Sequence, residues 1–397
     1  MVASNTYRNV LLLAACQALS MSAMTIMITV AALTGRMLAE NDSFATLPLA
    51  FQFLATWLTT IPASALMQRI GRRWGFAIGT LLGVSGGALI ALAIVLLSFW
   101  LMCIGNMLVG MCMGFALFYR FAAADASDEA FRAKAISWVV SGGVIAALVG
   151  PELARHTRDL LGPYLYAGSF LAIMALFAIS FILVQFLRIP RPVAVSASGR
   201  GRPLVQIMAQ PKFIVAALSS MVAYGVMKFI MVATPFAVED CGFGPDATPG
   251  VIQLHALGMF APAFFTGNLI NRFGLRRILI AGAVLLSGAI VADLSGTTLW
   301  NFWIGLALLG VGWNFLFVGG SALLTQTYRP EERSRVQGIN DFLVYGTVAC
   351  SSFMSGWVYQ TYGWGIINAV GIPLIGLSLL ATGWLIWQGR QTPAAAE

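Results

Sequence analysis

The 397-residue chain is 59% hydrophobic and only 10% charged, with a mean hydropathy of +0.84. A soluble domain carries roughly 25% charged residues, so this chain cannot cover itself with a wetted surface, and its apolar exterior is expected to face lipid. The net charge of +8 suits a membrane protein whose Lys and Arg gather on the cytoplasmic face, and no nucleic-acid partner is expected.

A spanning helix needs about 20 mostly apolar residues. Twelve such stretches are predicted, at 9–34, 45–67, 75–97, 99–122, 136–154, 163–188, 212–236, 250–270, 278–296, 299–326, 338–359 and 364–388. The first is long enough to span and is read as a helix rather than a cleavable signal. Between the sixth and seventh lies IPRPVAVSASGRGRPLVQ, residues 189–206, whose Pro, Gly, Ser and Arg content without helical periodicity reads as a linker. With the N-terminus inside, nineteen of the 23 Lys and Arg fall in cytoplasmic segments, three in external ones, and Lys228 within a span. That bias predicts a multi-pass protein of a bacterial cytoplasmic membrane with both termini cytoplasmic. Cys16, Cys103, Cys112, Cys241 and Cys350 form no CxxC pair, so neither a disulfide framework nor a thiolate metal site is expected.

The halves repeat. SALMQRIGRR (64–73) follows the second span and GNLINRFGLRR (267–277) the eighth, placing Arg69 and Gly71 opposite Arg272 and Gly274 at a constant offset of 203. SDEAFRAKA after the fourth span answers PEERSRVQG after the tenth. Such recurrence argues for internal duplication. It predicts an all-α membrane protein of two pseudo-symmetric six-helix bundles, residues 1–188 and 212–397, joined by a linker at 189–211.

These loops resemble the signature loop of the major facilitator superfamily, with Arg69, Gly71, Arg72 and Arg73 in the first copy and Arg272 and Gly274 in the second. Ser64 and Gln68 stand where the family's motif has Gly and Asp, and the second copy has Asn271 at the acidic position. The resemblance implies a transporter working by alternating access between two bundles. Gly150-Pro151 in the fifth span resembles part of the family's antiporter motif, but its trailing glycines are absent, and Gly-Pro also simply kinks helices.

Polar groups inside spans are costly, so each is a functional candidate: Glu152, Lys228, His255, Asn314, Asn340 and Asp341. Met227 and Met231 in the seventh span, and His255 and Met259 in the eighth, are each spaced i, i+4 and so share a helix face. Both pairs are expected about 7–13 Å below the outer helix ends. Three thioethers and an imidazole are soft ligands that favour Cu(I). Equally, methionine is a common core filler, and a lone histidine also serves as a proton relay or a packing group. The pattern MxxxM followed by HxxxM is similar to that of the CcoA-type bacterial copper importers. That resemblance implies Met227, Met231, His255 and Met259 as metal-binding positions, copper, as Cu(I), as the transported ion rather than a resident cofactor, and cytoplasmic copper-handling proteins of cytochrome oxidase assembly as partners of a monomer.

Lys228 sits beside this set, where a cation opposes Cu(I) by Coulomb repulsion. Alternatively it contacts an organic anion, and the chain then carries a riboflavin-like compound or a drug, inward or outward. A non-transporting sensor or assembly partner is the alternative of another class. Glu152, Lys228 and Asp341 are candidates for gating or coupling: Glu152 by approaching His255 or as a wetted interfacial residue, Asp341 through a proton or by favouring a helix dipole near the start of its span. No P-loop, Ser/His/Asp set or paired carboxylates at one depth occur, so an enzyme is not expected.

Overall fold

The computed structural model describes residues 2–40, 44, 46–189, 201–243 and 247–391; residues 190–200 of the expected linker lie outside them. In hydrocarbon every backbone N–H and C=O must be satisfied within the chain, which leaves helices as the economical solution for such apolar stretches. The helices are α1 (Val2–Leu38), α2 (Leu47–Ile70), α3 (Arg72–Val95), α4 (Phe99–Ala116), α5 (Tyr119–Asp125), α6 (Arg132–Thr157), α7 (Ala167–Val184), α8 (Leu204–Met208), α9 (Pro211–Asp240), α10 (Ala247–Phe260), α11 (Ala263–Phe273), α12 (Leu275–Leu294), α13 (Leu299–Leu324), α14 (Arg333–Ala369) and α15 (Gly371–Gln391). No strand occurs among the described residues.

Among the described residues eleven stretches are long and apolar enough to cross a membrane. The last, Arg333–Gln388, has 56 residues, about 84 Å of helix against a hydrocarbon core of about 30 Å. It therefore supplies two crossings, parted at Gly363, whose φ of 76° and ψ of −177° are not helical. Twelve crossings result, as the hydropathy predicts.

Several boundaries differ from expectation. The eighth span is two helices, α10 and α11, because Pro262 caps the second. The fourth is likewise divided into α4 and α5 at Leu117–Phe118. The eleventh begins at Arg333 rather than 338, since RSRVQ reads as loop by polarity yet consists of adequate helix formers.

Two compact units form. The first comprises Met1–Asp128, Trp138–Ala194 and Gln337–Phe342; the second comprises Glu129–Ser137, Val195–Val336 and Leu343–Glu397. Each takes in a short segment from the other half of the sequence. In the first unit α3 packs on α4 and α7, and α2 on α4; in the second, α12 packs on α13 and α15, and α10 on α13. Buried side chains such as Ile26, Met27, Ile90, Met102, Phe170 and Phe177 fill the first core. Large apolar residues including Leu11, Trp100, Phe353 and Leu380 remain exposed, as a lipid-facing surface requires.

The duplicated loops have duplicated backbones. Gly71 (φ 89°, ψ 161°) and Gly274 (φ 86°, ψ 145°) occupy a region open to glycine alone, and each donates its N–H across the turn, to Met67 O and Ile270 O respectively. Those acceptors are also 203 residues apart. Ser64 lies against Gly338 in the first unit, while Gly267 in the second abuts the backbone of Lys134, 2.6 Å from where a Cβ would stand.

Candidate functional site

One face of α13 organises the second unit. Leu306, Gly310, Trp313 and Phe317 recur at helical spacing and form a single stripe. At one end the carbonyl of Leu306 meets His255 Nδ1 at 2.8 Å. A carbonyl can only accept, so Nδ1 carries the proton and Nε2 is left as an acceptor; that atom is buried without a protein partner. The contact is possible because α10 and α13 approach closely. A Cβ on Gly310 would lie 2.5 Å from His255 O and 2.8 Å from Met259 N.

At the other end the stripe carries an aromatic cluster. Trp313 and Phe317 stack at 4.9 Å, and Tyr224 of α9 stands edge-on to both, at 5.1 and 4.9 Å. Phe260 of α10 meets Trp313 at 5.7 Å. Tyr345 of α14 lies 5.5 Å from Tyr224, with the two hydroxyls 3.3 Å apart. Trp313 and Phe317 are buried, whereas Tyr224 and Tyr345 retain accessible surface. The indole N–H of Trp313 has no protein partner. Trp313 is 14 residues into α13, about 21 Å along it, so the cluster sits near mid-membrane. Contacts along α9 and α14 fix its placement: Ser355 donates to Phe229 O at 2.6 Å, and Gly225 faces Thr347.

Lys228, four residues after Tyr224, shares its face of α9. It is half-buried. The stripe thus joins an acceptor nitrogen to a ring cluster, with Lys228 one turn from Tyr224 on α9.

The three methionines of the expected soft-ligand set lie on α9 and α10. Met227 and Met259 are buried and Met231 half-buried. α9 and α10 contact each other, and both pack on α13. Among the described residues no three of His, Cys, Asp and Glu converge as a metal site. Asn314 bonds neighbouring helices, donating to Met259 O at 2.7 Å and accepting from Thr266 Oγ1 at 2.6 Å.

The gating candidates change character. Glu152 is exposed and pairs within its own helix, with Arg155 at 2.9 Å and His156 at 3.4 Å. The ring of His255 takes its direction from Leu306. Asp341 is not at a helix start: it is eight residues into α14, fully buried, and 2.5 Å from Arg120 Nη2 within the first unit. Asn340 donates to the same carboxylate oxygen at 3.0 Å, and the Arg120 guanidinium lies 4.3 Å over the Phe121 ring. Beside this pair Arg72 binds Asp125 at 3.0 Å and also Gln337. Arg72, known from sequence only as a loop arginine, is therefore a buried ion-pair partner. Outside the spans Glu332 accepts from Arg202 Nε at 2.9 Å and Nη2 at 2.6 Å, and these bonds hold its carboxyl far down, at about 2.

Sequence reasoning missed Tyr224, Trp313, Phe317 and Tyr345, as well as Asp293, an acid in α12 that is 2% exposed with neither oxygen bonded. A tyrosine hydroxyl at mid-span, a polar group in hydrocarbon, was the available signal for the first and last.

The description "Major Facilitator Superfamily" fits residues 10–254 and 216–397. The chain is 39% identical to the riboflavin transporter RfnT of Brucella anthropi, over 98% of each chain. It is 32% identical to the transporter YddS of Bacillus subtilis, over 92% of this chain and 87% of that one. In fold it is similar to a bacterial homologue of the iron transporter ferroportin in an outward-facing state (TM-score 0.76, 16% identity, 96% and 99% of the two chains) and to the proton:xylose symporter XylE (0.76, 13%, 96% and 95%). The full-length similarity is to a riboflavin transporter rather than to a copper importer, and it favours the organic-solute alternative.

Proposed function

The chain belongs to the Major Facilitator Superfamily of membrane transporters, and on that premise we propose that it carries a riboflavin-like solute, a flat heteroaromatic ring system bearing polar edges, across the membrane. The observation that carries this reading is the mid-membrane cluster of Tyr224, Trp313, Phe317 and Tyr345 with Lys228 one turn away. Aromatic faces reward a planar ring by offset or edge-on packing, worth about 0.5–1.5 kcal/mol per ring pair. The Lys228 ammonium donates to ring carbonyl oxygens, and His255 Nε2 accepts from a ring N–H or a hydroxyl. A bare cation gains nothing from the ammonium and little from two phenols. Alternating access would expose such a site to each side in turn.

Uptake of labelled riboflavin into proteoliposomes holding the purified chain tests this. Tyr224→Ala is expected to raise the half-saturating concentration about 2- to 12-fold, the range of one lost ring pair, and Tyr224→Phe to keep most of the affinity. Undiminished transport by a Tyr224→Ala/Lys228→Met double variant would remove the site from the pathway.

A further inference from the structure

The two duplicated turns each border a cleft. In the first unit a cleft of about 410 Å³ is lined by Arg69, Ile70, Trp74 and Ile78. In the second unit one of about 360 Å³ is lined by Lys212, Phe273, Gly274, Leu275, Arg276, Arg277, Leu323, Gln326 and Leu385. Arg69, Ile70 and Trp74 become Arg272, Phe273 and Arg277 under the offset of 203, so the clefts flank corresponding turns of the repeat. Their chemistry differs. The first has one arginine and an exposed tryptophan; the second gathers three cations and no carboxylate.

The second cleft lies where span ends meet. Lys212 opens α9, Phe273 closes α11, Leu275 opens α12, Leu323 is next to the end of α13, and Leu385 lies near the end of the last span. One wall is therefore at the water boundary and the other continues into hydrocarbon. The cationic side chains are exposed while Leu323 and Leu385 are buried. Phe273 is 44% exposed, with the Arg272 guanidinium 5.3 Å from its ring, the placement of an interfacial aromatic. Like charges held this close without an acid among the lining residues repel one another, which an anion relieves. A free anion would use only the polar wall. An occupant that uses both walls must carry a phosphate and acyl chains together.

We propose that the cleft around Lys212, Arg276 and Arg277 is a binding site for an anionic phospholipid, with its phosphate between the three cations and its acyl chains against Phe273, Leu323 and Leu385. The positive-inside bias places it in the cytoplasmic leaflet, where basic residues near the surface attract anionic lipid by a factor of about five each, from ~1 kcal/mol per Lys or Arg.

Native mass spectrometry of the full chain, released from vesicles of equal phosphatidylglycerol and phosphatidylcholine, tests this. Wild type is expected to retain phosphatidylglycerol in excess. Lys212→Gln/Arg276→Gln/Arg277→Gln is expected to lose that excess by more than tenfold, while Arg276→Lys/Arg277→Lys keeps it. Thermal unfolding in phosphatidylcholine alone should be alike for all three, which separates lost binding from lost folding. Inorganic phosphate at millimolar concentration should not displace the lipid. Equal retention of both lipids by wild type, undiminished retention by the neutral triple variant, loss in the lysine variant, or displacement by phosphate would each overturn the proposal.

Discussion

Removing either partner of the Arg120–Asp341 pair should destabilise the first unit far more than removing both. At 2.5 Å and an effective dielectric of about 20, the attraction is about 7 kcal/mol, from which the desolvation of two ions subtracts several. What survives is modest, but a lone buried charge is not. Arg120→Met leaves the fully buried Asp341 with only Asn340 as a donor, and Asp341→Leu leaves a guanidinium that is 4% exposed. Either change is expected to cost about 3–5 kcal/mol, while the double apolar variant costs about 1 kcal/mol or less. Unfolding by a denaturing detergent, followed by helical circular dichroism, gives the four free energies of a double-mutant cycle. Single variants within about 0.5 kcal/mol of wild type, or a double variant as damaged as the sum of the singles, would refute a buried ion pair as the organising contact two turns into α14.

Three further outcomes are expected. Gly274→Ala should cost about 1–3 kcal/mol from backbone torsion alone, because the space where its Cβ would stand is open; Gly356→Ala, equally open but helical, should be neutral or stabilising in the same unfolding assay. Glu332, held at about 2 against an ordinary 4.5 by its Arg202 bonds, binds its proton less readily folded than unfolded. Its contribution, about 3 kcal/mol at most, is complete above pH 4.5 and fades as pH falls toward 2, so the stability gap between wild type and Glu332→Gln should close over that window. Lys228→Met should weaken riboflavin transport more than Lys228→Arg, measured as the half-saturating concentration in proteoliposomes.

Much of the architecture was legible because its causes are local. Spans follow from composition, and the two turns from glycines at a fixed offset whose positive φ excludes other residues. The pairings were not legible. Arg120 and Asp341 are 221 residues apart, and nothing near either names the other. Asp341 was misjudged for a second reason: the polar start of α14 looked like loop, which moved the residue to a helix end where a dipole effect would suffice. The His255/Met259 spacing was correctly read as one helix face, but spacing cannot say which neighbour that face meets, and here it meets α13 through Gly258 and Gly310. The tyrosines of the ring cluster were hidden among the 12% aromatic residues of the chain, since an aromatic in a span is ordinarily filler.

Parallel accumulation of labelled riboflavin and labelled copper in cells expressing wild type, Tyr224→Ala/Lys228→Met and His255→Ala decides between the two solutes most directly. Wild type should accumulate riboflavin, the double variant should lose most of that uptake, and copper levels should match those of cells lacking the chain. Copper accumulation that His255→Ala abolishes, with riboflavin unchanged in all three strains, would contradict the ring-binding account.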